Sequence, residues 1–219
     1  MLGTAATETS SVSMYLPPRQ WNYGPLSYDR AHVVAITYSY DFPKLRMSGG
    51  AGKVAGLIVN DWTLSGVTSF QTGAPLTPSQ SLSPSKEITG STEGPRPTVT
   101  CDPRAMPDGA WSITNTFNVS CFKVTTSGFG NEGVGILTGP GLQNWDISLA
   151  KKIPVGLGEG RALTIRFESY NTFNHTNYSS VNTSLRFNPN TGAQTNANIA
   201  QYTNARTPRI MSLAVRFSF

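Results

Sequence analysis

An all-β, antiparallel fold is what this sequence predicts, and three observations carry the prediction: five segments alternate apolar with small or polar residues, the composition favours turns and strands, and the connections between segments are very unequal. Successive side chains of a strand point to opposite faces, so strict alternation marks one apolar and one polar face. With Gly 21, Pro 15 and only 13% charged residues, the composition suits strands and turns better than helices, which prefer Ala, Leu, Glu and Lys. No stretch of helical period long enough to matter is expected.

The first segment, residues 32–42, sets Val34, Ile36, Tyr38, Tyr40 and Phe42 against Val33, Ala35, Thr37, Ser39 and Asp41. The second, 61–72, places Trp62, Leu64, Gly66, Thr68 and Phe70 opposite Thr63, Ser65, Val67, Ser69 and Gln71. In the third, 144–153, Trp145, Ile147 and Leu149 oppose Asp146, Ser148 and Ala150. In the fourth, 162–173, Leu163, Ile165, Phe167 and Phe173 oppose Thr164, Arg166, Glu168 and Tyr170. The fifth, 209–219, is the cleanest: Met211, Leu213, Val215, Phe217 and Phe219 share one face, while Ser212, Ala214, Arg216 and Ser218 share the other.

A face of continuous hydrocarbon backed by a polar one is what a lipid-facing barrel strand needs, and about 9–11 tilted residues cross the bilayer core. With antiparallel neighbours and the final residue on the periplasmic side, Tyr40, Phe42, Trp62, Phe217 and Phe219 collect at one rim and Phe70, Trp145 and Phe173 at the other. From Trp62 to Phe70 is roughly 26 Å along a strand and about 20 Å of height after tilting, near the apolar band of such barrels. Gly66, Thr68, Ser169, Asn171 and Lys151 interrupt the apolar face; Lys151 lies near enough to a rim for its stem to snorkel.

The expected organisation is an extracellular loop leading into the barrel at 1–31, followed by barrel strands over 32–219 with long extracellular loops at 73–143 and 174–208. Structureless loops of that length argue against a compact soluble domain but are ordinary on the outer side of a barrel. The connection around Gly49 to Gly52 is moderate, and Gly156, Gly158 and Gly160 read as turn glycines between the third and fourth strands, since no helix follows for a phosphate to cap. Residues 1–18 have neither the basic region nor the apolar core of a signal peptide. The expectation is therefore the C-terminal piece of a longer exported protein.

The net charge of +5 is scattered, with Lys151 and Lys152 the only adjacent basic pair, so nucleic acid is not an expected partner. Cys101 and Cys121 read as a candidate loop disulfide of an oxidising compartment, with two free thiols the alternative. His32 and His175 lie too far off to complete a zinc pattern, and no metal or cofactor is expected. No catalytic set stands out: His175, within Asn174-His-Thr, reads as a loop polar residue, and the chain is not expected to be an enzyme.

The run Tyr23-Gly-Pro-Leu-Ser-Tyr-Asp-Arg-Ala-His32, Asp61-Trp-Thr-Leu-Ser-Gly66 and Gln71-Thr-Gly-Ala-Pro75 resembles the late barrel strands of TonB-dependent outer-membrane receptors, specifically the Oar-like group. The likeness continues through Arg96-Pro97, Phe117-Asn118, Phe129-Gly-Asn131, Gly139-Pro-Gly-Leu-Gln-Asn-Trp-Asp146, Arg166-Phe-Glu168 and Asn171-Thr-Phe-Asn-His175 to the terminal Phe219. It implies part of a plugged barrel of about 22 strands in the Gram-negative outer membrane that takes up a large or scarce nutrient. Full-length members carry an N-terminal carboxypeptidase-regulatory-like domain. The implied partners are outer-membrane lipid, the plug and remaining strands of the receptor, TonB through a preceding N-terminal part, and the barrel-assembly machinery. No plug or TonB-contacting box is recognisable in this chain, so it is not expected to transport alone.

Four charged residues fall on the polar faces, Asp146, Arg166, Glu168 and Arg216, and read as a lumen-facing lattice of ion pairs rather than ligand contacts. Val215, Phe217 and Phe219 resemble the C-terminal signal that assembly machinery recognises. The alternative is a secreted, soluble β-rich binding module, an adhesin or carbohydrate-binding domain, in which Trp21, Trp111 and Tyr178 form a sugar platform.

Overall fold

The computed structural model describes residues 16–46, 49–90, 94–155 and 161–219. The turn expected at Gly156, Gly158 and Gly160 and residues 1–15 of the N-terminal segment lie outside them. In chain order the elements are α1 (Pro18–Trp21), β1 (Val33–Asp41), α2 (Gly49–Val59), β2 (Trp62–Gln71), β3 (Pro75–Leu76), β4 (Ser79–Leu82), β5 (Thr98–Val99), β6 (Phe122–Lys123), β7 (Leu137–Thr138), β8 (Leu142–Pro154), β9 (Ala162–Tyr170), β10 (Tyr178–Val181), β11 (Ser184–Phe187), β12 (Tyr202–Ala205) and β13 (Ile210–Ser218). A 3₁₀ turn, Val119–Cys121, precedes β6.

The five alternating segments form one antiparallel sheet in the order β1-β2-β8-β9-β13. Each strand lies beside its predecessor in the sheet, as in a meander, and the sheet is open, with β1 and β13 as its edges. Together with its flanking segments it makes one of two compact units, residues 32–71, 142–177 and 206–219. The other gathers the described residues of 16–31, 72–141 and 178–205.

That second unit corrects the expectation of structureless loops. Its short strands pair two by two, β10 with β12, β11 with β4, β3 with β7 and β5 with β6. Phe117, Phe122, Leu137, Leu185, Phe187 and Ala200 form its buried core. Strands of two to four residues carry no readable alternation, which is why they are silent in the sequence. Cys101 and Cys121 are joined in a disulfide, with Cα atoms 5.0 Å apart.

Two further corrections concern the sheet unit. The moderate connection after β1 contains α2, an 11-residue helix whose four glycines disguise it as loop. It ends where Asn60 N–H closes onto the Gly56 carbonyl and Asp61 turns to φ 60°. The fourth strand stops at Tyr170 rather than running to residue 173, because Asn171 adopts φ 49° and Asn174 φ 53°, the left-handed region that asparagine tolerates best after glycine.

Amide side chains tie irregular backbone into place throughout. Asn177 Oδ1 accepts from Gln143 N–H at 2.9 Å while its Nδ2 donates to the Gln143 carbonyl at 2.8 Å, the pair of bonds a neighbouring strand would make. Asn60 does the same to Leu45, Asn131 to Val99, Asn171 to His175 and Gln80 to Thr125. A buried backbone group must find a partner. Where no strand is available, the carboxamide supplies one donor and one acceptor in a fixed geometry.

Candidate functional site

The functional surface is the sheet itself, and its register decides which residues share a face. Tyr40, Leu64, Leu149, Phe167 and Leu213 lie opposite one another across all five strands, a continuous apolar row. The next rows toward the strand ends, Trp62, Lys151, Ile165 and Val215, then Ile153, Leu163 and Phe217, belong to the same face. The apolar side chains are turned outward: Leu213 is 70% exposed and Val215 63%. On a water-soluble surface a patch of this kind is unfavourable by roughly 25 cal/mol for each Å² of apolar area. Acyl chains remove that penalty.

The interruptions on this face are covered. Thr68 and Ser169 are buried, and a Cβ on Gly66 would come within 2.6 Å of Tyr38 Oη, so the glycine makes room for the Tyr38 ring to lie over the strand. Lys151 does not snorkel out to water as expected. It is buried, with Nζ donating to the Asn60 carbonyl and lying 5.4 Å from the centre of the Trp62 ring, so its ammonium is held by the rim. Asn171 belongs to the turn and not to the apolar face.

Aromatic rings gather at both strand ends. At one end Trp145 meets Phe70 edge-on at 5.4 Å and Phe173 at 5.3 Å. At the other, Tyr40 packs edge-on against Phe42 at 5.3 Å, and Phe217 stacks with the fully exposed Phe219 at 6.2 Å. Aromatic girdles bracketing an aliphatic band are the mark of a membrane-crossing sheet.

The reverse face is polar. Ser39, Ser65, Ser148, Glu168 and Ser212 form one row, and Asp41, Thr63, Ala150, Arg166 and Ala214 the next, with Lys152, Thr164 and Arg216 beyond. Asp146, in register with Val67, is on this face too. Arg166 and Glu168 make an exposed ion pair at 3.7 Å, and Ser212 Oγ donates to Glu168 at 3.2 Å. Asp146 does something the sequence does not reveal: its Oδ1 accepts from Asn171 N–H and from Asn144 Nδ2, both at 2.9 Å, anchoring the turn after β9. Arg216 has Thr164 as its cross-strand neighbour.

The loop-borne unit holds a second chemical feature missed in the sequence. Arg96 stacks over the Trp21 ring at 3.9 Å, donates to the Trp21 carbonyl, and reaches the Glu132 carbonyl at 3.4 Å. Glu132 itself is buried, with neither carboxylate oxygen hydrogen-bonded. Burial raises its pKa to about 8, the nearby Arg96 charge pulling the other way. Trp21 is thus an internal residue under a guanidinium. It does not join Trp111 and Tyr178, which group instead around Tyr202, Tyr178 stacked on it at 4.5 Å and Trp111 edge-on at 6.5 Å.

No helix among the described residues is long and apolar enough to cross a membrane. Over residues 2–212 the sequence matches the family described as an outer membrane beta barrel domain. The chain belongs to that family, and its place is the outer membrane, in contact with lipid. No curated protein and no solved structure matches it. The alternative of a secreted soluble module fails on the family and on the outward-turned apolar rows alike.

Proposed function

We propose that this chain forms the C-terminal strands of a TonB-dependent receptor of the Oar-like group, a barrel that imports a large or scarce nutrient with energy passed from the inner membrane. The observation that carries this reading is the open five-stranded sheet, lipid-compatible on one face and charged on the other, with edges at β1 and β13 available to further strands. The motif order from Tyr23 to Phe219 supports the receptor class. On this reading Asp146, Arg166, Glu168 and Arg216 line the lumen toward a plug carried by the rest of the receptor, which also contacts TonB. The connections 72–141 and 171–209 face outward for substrate capture, and Val215, Phe217 and Phe219 present the signal to the assembly machinery. Chemistry on the substrate is not part of the role.

The test is solute depletion. Cells with the intact receptor, cells lacking it, and cells treated with a protonophore are grown in one rich medium, and the spent media are compared by untargeted mass spectrometry. Solutes that disappear only from energised cells with the receptor are the expected result. Indistinguishable media from deletion and parent strains would remove the transport reading.

A further inference from the structure

Helix α2 is amphipathic in the wrong sense for water. Gly52, Ala55 and Gly56 lie on its half-buried side, while Val54, Leu57, Ile58 and Val59 are turned out, Ile58 to 66% exposure. Val54, Leu57 and Ile58 follow the i, i+3, i+4 spacing of a single helical stripe. A surface helix of a soluble domain buries that stripe and exposes its small or polar residues.

The helix joins β1 to β2 at the strand ends that carry Tyr40, Phe42 and Trp62, and Trp62 Nε1 donates to the Ile58 carbonyl at 2.8 Å. The apolar stripe therefore continues from the aromatic rim of a face already assigned to lipid. Charge points the same way: positions 42–60 contain Lys44, Arg46 and Lys53 and no Asp or Glu. Arg46 is exposed, and Lys44 meets Asp61 at the end of the segment at 2.6 Å. A short helix with an apolar face beside basic residues is the composition that rests in a bilayer interface, its hydrocarbon among the upper acyl carbons and its cations among phosphates.

We propose that α2 is an interfacial anchor, lying in the headgroup region of the outer membrane at the Trp62 rim and embedding Val54, Leu57 and Ile58 in lipid. Its occupant is the phospholipid leaflet and not another protein. The anchor fixes the height at which β1 and β2 cross, because the rim tryptophan is bonded to the helix itself. The proposal rests on the membrane-crossing reading of the sheet, and the experiment separates the two.

Single cysteines replace Leu57, Ile58, Leu213 as the control on the sheet, and Gly109 as the control in water, each in the full-length receptor. They are labelled with a nitroxide without reductant, which leaves the Cys101–Cys121 bond closed. Electron paramagnetic resonance then measures collision with dissolved oxygen and with a water-soluble nickel chelate in outer-membrane vesicles. For an anchored helix, labels at 57 and 58 gain oxygen collisions and lose nickel collisions relative to a label at exposed Gly109, less strongly than the label at 213. Nickel accessibility at 57 and 58 equal to that at Gly109, with 213 still shielded, overturns the anchor and leaves the barrel standing. Immobilised labels at 57 and 58 shielded from both reagents overturn it in favour of a protein partner. Nickel accessibility at 213 as well overturns the crossing sheet and the anchor together.

Discussion

The two compact units of this chain treat the same side chains in opposite ways. In the loop-borne unit Phe117, Phe122, Leu137, Leu185 and Phe187 are withdrawn almost completely from solvent, and short paired strands close around them. In the sheet unit Ile36, Leu213, Val215 and Phe217 are half exposed or more. One unit hides hydrocarbon because its solvent is water; the other displays it because its solvent is lipid. Stability must then come from different sources. The loop-borne unit depends on a core, a disulfide and amide clamps, whereas the sheet depends on its backbone ladder, which hydrocarbon cannot compete for.

The largest break in that comparison should come from the disulfide. Replacing Cys101 and Cys121 together by serine removes a cross-link of the kind that contributes about 2–5 kcal/mol to small extracellular domains. The expected outcome is faster proteolytic cleavage between residues 72 and 141 in intact cells, with an unchanged shift between heated and unheated samples on a gel. If the heat-modifiable band disappears as well, the two units are energetically one.

Next comes a pair of neighbours on opposite faces of β13. Leu213→Arg places a cation on the lipid-facing side of β13, at a cost of roughly 2–4 kcal/mol, while charge on the inner wall of a barrel is tolerated. Ser212→Arg adds its charge to the face of Glu168, which accepts from Ser212 in the native protein. The first variant should lose outer-membrane assembly and the second should retain it, as judged by heat-modifiability. Equal behaviour would dissolve the distinction between the faces.

The legibility of these units from sequence follows the same division. The five long strands announce themselves because each repeats a period of two over nine or more residues, as Ile210–Ser218 does, and because lipid on one side and polar groups on the other leave few exceptions. The rim aromatics could be placed for the same reason. The loop-borne unit is unreadable because its strands, such as Pro75–Leu76, are too short to show a period and its core is assembled from residues far apart, Phe122 with Phe187 among them. Its asparagines read as loop polarity, yet Asn131 and Asn177 act as surrogate strand partners, a role that appears only when the opposing backbone is in place. Helix α2 is hidden by glycines that make it a poor helix in isolation. The register of β13 could be anticipated; the burial of Glu132 could not, because nothing in Asn131-Glu-Gly distinguishes it from a surface loop.

Glu132 sharpens the comparison by the smallest expected effect, one confined to the water-facing unit. Its carboxyl is held neutral by burial, with a pKa of about 8 against an ordinary 4.5, and Arg96 is the charged group that acts on it. The folded form therefore binds a proton that the unfolded form releases between those two values. In that window the unfolded state carries fewer protons than the folded one, so stability falls as pH rises. The contribution is complete below the unfolded value and is lost progressively as pH climbs through about 8. Glu132→Gln keeps the shape and neutrality without the proton. Cleavage of the loop segments by a protease active across the range should accelerate from pH 5 to pH 8.5 in the native protein, after correction for protease activity on an unfolded substrate. In the glutamine variant the corrected rate should stay nearly flat. Both should show the same pH-independent heat-modifiability, since the sheet has no part in the titration; a native rate that does not rise with pH would place Glu132 in contact with water.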